Sequence, residues 1–444
     1  TYRQRSIERA IVVQLAGKLL WSLDLVAGTK DGSDGVKYRS EDLTAYLVPC
    51  PRIMKISVFS VAIALVASSS LASAQSTIQL RQHDARGDSN QRWSLEHEVQ
   101  RMAAKYAKNA QMYFKNTGKH HSVVNGTTLA RRSNSGKVGM EMVDGSRWVG
   151  EIEIGSPGQK QGVAFDTGSP NIIIGRSSYK PDDSSTSKSL GKLFETDFLG
   201  PSVKGSLYSD DVNVGGVKAK HVVLGSTDAD FMNKEGVDDE SLAGVFGLSF
   251  PSIGSFGISE DHTFVGAAKK QKIFYDNVYQ FFIRKNGDSY LNVGKVDKER
   301  LDGEVGWVDV DSSDGYWKAE VELNGHKANG IVDSGTTFIF GNNDDVKKVL
   351  DDIDGVEVKK SDSGDWQGWY KCDSPPEVKI KVAGKVVKME KDAMVAGVDN
   401  DECQLTIAGV HGVNSWIFGE SFFEMYSIIF DFGKERMGFA KTKD

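Results

Sequence analysis

Proline, cysteine and excess positive charge are all scarce in these 444 residues. Nine prolines stand against 47 glycines, a balance that suits tight turns and bulges, as in all-β folds. Lys and Arg number 54 against 61 Asp and Glu, giving a formal net charge of −7, which argues against nucleic acid as the main partner. Beyond residues 56–67 no stretch is apolar enough to span a bilayer. There is no Gly-x-Ser-x-Gly and no Gly-Lys-Ser/Thr phosphate loop. In "HEVQR" (97–101), Arg101 stands where a metalloprotease needs its second histidine. What remains is ordinary globular composition, 39% hydrophobic and 26% charged, with length enough for two or three domains.

The net charge hides an asymmetry. Residues 76–132 hold ten Lys/Arg and four Asp/Glu, a balance of +6, whereas 133–444 hold 35 and 51, a balance of −16. Four of the eight histidines (His83, His97, His120 and His121) fall in the short basic stretch. A basic segment leading an acidic body can act as an electrostatic clamp; a solvated surface is the alternative.

"MKISVFSVAIALVASSSLASAQ" has the form of a secretory leader. Lys55 follows Met54, an apolar run covers 56–67, and Ala72-Ser73-Ala74 offers small residues for cleavage before Gln75. A single membrane anchor is the competing reading. The leader is expected at 54–74, so 1–53 is expected to be upstream sequence outside the native protein, and the product is expected to be secreted, to the exterior or a vacuole. Cys50 precedes the leader, leaving Cys372 and Cys403. A pair in an exported chain suits a disulfide; two separate buried thiols are the alternative.

Residues 75–132 read as a basic, partly helical segment. In 94–114, Leu95, Val99, Met102, Tyr106 and Ala110 recur at three- and four-residue steps, which predicts an amphipathic helix. Asn125-Gly126-Thr127 is a glycosylation sequon, and Arg131-Arg132 a candidate processing pair. From about 138 the pattern changes to short β-prone runs separated by Gly, Asn, Asp and Ser.

Within that β region the chain repeats itself. "GEIEIGSPGQKQGVAFDTGSPNIIIG" parallels "AEVELNGHKANGIVDSGTTFIFG". Each gives an alternating strand, a turn, an apolar strand, Asp-Thr/Ser-Gly, a hydroxyl residue and a second apolar run. "AGVFGL" (243–248) and "SWIFGE" (415–420) form a second parallel. Two related β lobes, each offering one aspartate, account for both.

Two carboxylates brought together cannot both ionise readily, so one proton is shared between them. An acid and a base then flank one water, which can attack an amide carbonyl without a covalent intermediate. Asp166 and Asp333 are the candidate pair. Thr167 and Ser334 are expected to bond across the lobes, Gly168 and Gly335 to let the two loops approach, and Ser169 and Thr336 to donate to the outer carboxylate oxygens. Ala164, Phe198, Gly335, Thr336 and Thr337 are expected in the cleft.

Over roughly 138–440 these motifs resemble the pepsin-like aspartic proteases, whose secreted members include fungal enzymes. "VAFDTGSPN" and "VDSGTT" are similar to the two active-site loops, and "SWIFGESFFEMYSIIFDFGKERMGFA" to the closing strands. The resemblance implies a mostly β fold of two homologous β-barrel-like lobes (133–303 and 304–444) with a cleft between them. It also implies a prosegment that fills the cleft until acid releases it, with a new N-terminus near 133. Cys372–Cys403 matches the family's C-lobe disulfide. Protein or peptide substrates, the chain's own prosegment as inhibitor, a monomer, no cofactor, no metal and no membrane after leader removal complete the expectation.

Two departures stand out. The family's Ser-Asn-Leu-Trp after Asp-Thr-Gly-Ser is Pro170-Asn171-Ile172-Ile173 here, and the flap tyrosine is replaced by Phe198, with Gly200 nearby. The polar flap contact of the family would become an apolar one. A catalytically weak or inactive binding protein of the same fold is therefore the second reading. A glycosidase also uses two carboxylates, but nothing in such an enzyme needs a duplicated Asp-Thr/Ser-Gly.

Overall fold

The short apolar runs fold as strands. The computed structural model describes residues 76–82, 95–124, 148–197, 202–231, 242–257, 259, 262–274, 276–284 and 289–443. The leader, residues 1–53, the sequon, the dibasic pair and the flap tip at 198–201 lie outside the described residues.

The N-terminal segment contributes β1 (Ser76–Gln82) and α1 (Leu95–Thr117). The first lobe holds β2 (Trp148–Ile154), β3 (Gln159–Asp166), β4 (Ile172–Ile174), β5 (Lys188–Asp197), β6 (Ser202–Val214), β7 (Val217–Ser226), β8 (Gly244–Gly247) and α2 (Phe264–Gln271). Three strands follow: β9 (Val278–Phe282), β10 (Ser289–Val293) and β11 (Leu301–Asp309). The second lobe comprises β12 (Lys318–Leu323), β13 (His326–Val332), β14 (Ile339–Asn342), α3 (Asn343–Asp351), β15 (Glu357–Lys360), β16 (Trp366–Lys371), β17 (Lys379–Val382), β18 (Lys385–Lys388), β19 (Val395–Asp399), β20 (Glu402–Val410) and β21 (Trp416–Phe418). The chain ends with β22 (Ser427–Asp431) and β23 (Arg436–Thr442).

The sequence repeat is a repeat of topology. In the first lobe β3 runs parallel to β8, which lies antiparallel to β4, and β4 runs parallel to β7. In the second, β13 runs parallel to β21, β21 lies antiparallel to β14, and β14 runs parallel to β20. The two -F-G- segments are thus β8 and β21, each wedged between the two halves of an aspartate loop. Glycine is required there: a Cβ on Gly247 would strike the backbone of Pro170 and Asn171, and one on Gly419 the carbonyls of Thr336 and Phe338.

One sheet joins the described strands outside the second lobe. Its order is β11-β23-β22-β9-β10-β1-β2-β3-β8-β4-β7-β6-β5, and the second lobe has its own sheet. β1 is inserted between β10 and β2, so the N-terminal segment is part of the framework. The helix predicted over 94–114 forms as Leu95–Thr117. Its stripe of Leu95, Val99, Met102, Tyr106 and Ala110 is buried, the first four packed with Tyr316, Ile331, Phe338 and Phe340 of the second lobe. Among the described residues no helix is long and apolar enough to cross a membrane.

Cys372 and Cys403 are disulfide-bonded, tying the end of β16 to β20 across a sequence separation of 31. Closing a loop of that length removes entropy worth roughly 3–4 kcal/mol from the unfolded chain. Replacing both cysteines with serine is expected to lower unfolding free energy by about that amount, read from denaturant melts.

Candidate active site

The two aspartate loops meet where the lobes touch, and their side chains interlock. Thr167 Oγ1 donates to the Val332 carbonyl (2.8 Å) and accepts from the Ser334 N–H (2.9 Å). Ser334 Oγ returns the pattern, donating to the Phe165 carbonyl (2.7 Å) and accepting from the Thr167 N–H (3.1 Å). Each buried hydroxyl is satisfied as donor and acceptor at once, which fixes one loop against the other.

Each carboxylate is received by its own loop. Asp166 Oδ1 accepts from the Gly168 N–H (2.8 Å) and Oδ2 from Ser169 Oγ (2.6 Å). Asp333 Oδ1 accepts from the Gly335 N–H (2.9 Å) and Oδ2 from Thr336 Oγ1 (2.6 Å). These short charge-assisted bonds offset the cost of holding buried carboxylates. The glycines also set the spacing, since a Cβ on Gly168 would land in the Asp333 carboxylate and one on Gly335 in that of Asp166.

Between the carboxylates sits Lys105 of α1. Its Nζ lies 2.8 Å from Asp166 Oδ1, and 3.1 and 2.9 Å from Asp333 Oδ1 and Oδ2. Tyr106 OH donates to Asp333 Oδ2 at 2.8 Å. Asn109 Nδ2 donates to the Gly168 carbonyl and Arg101 Nη2 to that of Gly335. Glu98, also buried, accepts from Arg101 and from Thr337 Oγ1. One helix face therefore meets both loops in turn.

Burial pushes Asp166 upward, with the Lys105 charge opposing and Asp333 adding to the rise. Burial also acts upward on Asp333. There the Lys105 ammonium and the bonds from Asp166 and Thr336 prevail, and the carboxyl is held well below the usual range. Lys105 loses ground to burial but gains more from its two anions, so its pKa is raised. Burial, then the Asp333 charge, keeps Tyr106 protonated.

All eight residues of the Asp-Thr/Ser-Gly loops named from the sequence thus come together. Thr337, expected in the cleft, meets the helix there, and Ala164 is buried on β3. Phe198 and Gly200 lie outside the described residues. Ile173 is buried in an apolar cluster with Phe194 and Val203 of the β5–β6 hairpin. Sequence reasoning does not single out Lys105, Tyr106, Asn109 or Arg101 as the groups facing the loops; Lys105 beside a member of the buried stripe is the signal that was there to find. Among the described residues no group of three or more His, Cys, Asp or Glu is placed to hold a metal.

A mostly β molecule of two matched lobes, holding one aspartate from each across a hydroxyl-bonded junction, is the architecture of an aspartic endopeptidase. The model for eukaryotic aspartyl proteases matches residues 147–442, and the chain belongs to that family of hydrolases. Secreted aspartyl protease 1 of Malassezia globosa is 33% identical over 346 residues, covering 77% of this chain and 85% of that protein. A protein named probable inactive secreted aspartyl protease, from the same organism, is 30% identical over 340 residues, 73% of this chain and 86% of its own length. Pepsin A of Sus scrofa is 25% identical over 329 residues, 66% and 81% respectively.

Proposed function

We propose that the chain is the precursor of a secreted, acid-acting aspartic endopeptidase, with residues 75–132 as its own inhibitor. The observation that carries this reading is the Lys105 ammonium bonded to both carboxylates. A cation that touches both also marks where a single water would sit once the helix leaves. Asp166 and Asp333 are the proposed catalytic pair: the ionised member takes a proton from that water, and the protonated member donates to the carbonyl oxygen. The pair titrates as a unit. With the lysine gone, the two carboxylates must share a proton. The uncovered form thus binds more protons than the covered one, and lowering pH favours uncovering. Ion pairs between the +6 segment and the −16 body weaken in the same direction. Maturation is proposed to place a new N-terminus near 133, in a monomer that acts on protein or peptide substrates.

The test is hydrolysis of acid-denatured globin at pH 3–5, with and without a statine-type transition-state mimic. Cleavage abolished by the mimic supports the protease. Tight binding of the mimic without cleavage supports the inactive binder, the reading favoured by the replaced flap residues and by the name of the relative from Malassezia globosa. Gly168→Ala supplies a second check. Its Cβ would press on Asp333 and widen the pair, and an ångström of misplacement costs on the order of 10²-fold. The expected loss falls on kcat, read at saturating substrate.

A further inference from the structure

His121 follows α1 and is buried. Its Nδ1 accepts from the Val123 N–H at 3.0 Å, and its Nε2 lies 2.8 Å from the Asp314 carbonyl. One partner can only donate and the other only accept, so the imidazole is neutral with its proton on Nε2. The same short segment closes onto the second lobe. Asn414 N–H donates to the Val123 carbonyl at 2.9 Å, and Val124 forms an antiparallel bridge with Val413. A row of rings connects this point to the aspartates. His121 meets Tyr113 and Tyr316 edge-on at 4.8 and 5.1 Å, Tyr316 meets Tyr106 at 5.4 Å, and the Tyr106 hydroxyl is on Asp333.

We propose that His121 is a proton-operated latch: protonation at Nδ1 sets donor against donor at Val123, frees residues 121–124 from the second lobe, and so loosens α1 ahead of the lysine lock. This rests on the inhibitory reading of residues 75–132.

Among the described residues the anion that favours a protonated ring, the Asp314 carboxylate, is already engaged. From α1 the neighbour is Tyr113, whose hydroxyl donates to the Ser313 carbonyl. From the facing loop they are Tyr316, Lys318 and Asp314. The Asp314 carboxylate is occupied by the Lys318 ammonium and the Tyr316 N–H. On the segment carrying Val413, His411 bonds Asp365 instead. Burial lowers the ring's pKa from 6.5, with Lys318 acting the same way and the Asp314 carbonyl and charge opposing. The docked form therefore holds fewer protons than the released one. Docking is at full strength above pH 6.5, weakens below it, and levels off below the docked pKa.

The experiment uses the full chain and two readouts: amide exchange at Val123 and Asn414, and binding of a fluorescent statine-type peptide to the uncovered aspartates. In the wild type, protection of both amides is expected to fall as pH drops below 6.5, before or together with peptide binding. His121→Gln, which keeps a neutral polar side chain, is expected to delay that loss by at least one pH unit, whereas His120→Gln leaves it unchanged. Equal midpoints for wild type and His121→Gln overturn the latch, as does Val123 protection that persists while the peptide binds. If His121→Gln is already unprotected at pH 7.5, the His121 titration followed by NMR in the wild type decides. Protonation that coincides with exchange supports the latch, and protonation without it overturns it. If protection is lost on schedule but the peptide binds at no pH, the protease reading fails and the latch stands.

Discussion

Asp333→Asn removes peptide hydrolysis, with kcat expected to fall by roughly 10⁴-fold or more. The estimate follows from the work asked of the pair. A positioned acid or base contributes about 10²–10⁴-fold, and both proton transfers of the proposed reaction pass through the same two carboxylates. An amide in place of Asp333 can still accept from the Gly335 N–H through its oxygen, while its nitrogen donates to Thr336 Oγ1, a hydroxyl that can turn to accept. It cannot share a proton with Asp166. Folding is therefore expected to survive, so circular dichroism and the statine peptide would report an intact cleft beside an absent rate. Asp166→Asn should behave alike, since Gly168 and Ser169 repeat the arrangement. Retention of more than a few per cent of kcat by either variant would remove the paired-carboxylate mechanism.

Lys105→Met is expected to uncover the cleft at neutral pH. Methionine keeps the length of the side chain but not its charge, leaving two buried carboxylates face to face with no counterion. Removing one partner of a buried ionic cluster costs roughly 3–5 kcal/mol, a shift on the order of 10²–10⁴-fold in the covering equilibrium. Part of that cost is recovered when Asp166 and Asp333 share a proton, so the measured shift should lie toward the lower end. Binding of the statine peptide at pH 7 checks it directly: wild type excluded, variant bound. Arg101→Met, which removes a bond to a backbone carbonyl and a helix-internal ion pair, should shift the same equilibrium far less.

The aspartates were legible because the chain says the same thing twice, and a repeat of type and spacing outweighs any single match. Their helpers were legible too: Asp-Thr/Ser-Gly-Ser/Thr contains, within three residues, the hydroxyls and the absent Cβ that the junction needs. The helix was visible in its stripe, since Leu95, Val99, Met102, Tyr106 and Ala110 report one buried face. What faces that stripe was not. Lys105 and Lys108 both lie within two residues of Tyr106, and periodicity assigns neither to a carboxylate more than sixty positions away. The long sheet was hidden for a related reason. Alternation marks β10 as a strand, but β1 lies in a segment whose sequence reads as partly helical, and pairing Ser76 with Val293 is a property of the assembled lobes. His121 is a harder case still. A buried histidine and a solvated one look alike in a string, and only Val123 and Asp314 reveal which nitrogen carries the proton.

Every contact of α1 with the aspartate loops is made by a segment tethered to the body it covers. Tethering holds such a segment at an effective concentration in the millimolar range, whatever the protein's dilution. Scission near 133 would turn closure into a meeting of two molecules. At micromolar protein that change alone weakens covering by about 10³-fold, roughly 4 kcal/mol, with no contact altered. Acid would then set only the moment of opening, and the cut would make it permanent: on return to neutral pH an uncut chain closes again, while a cut one loses its helix to dilution.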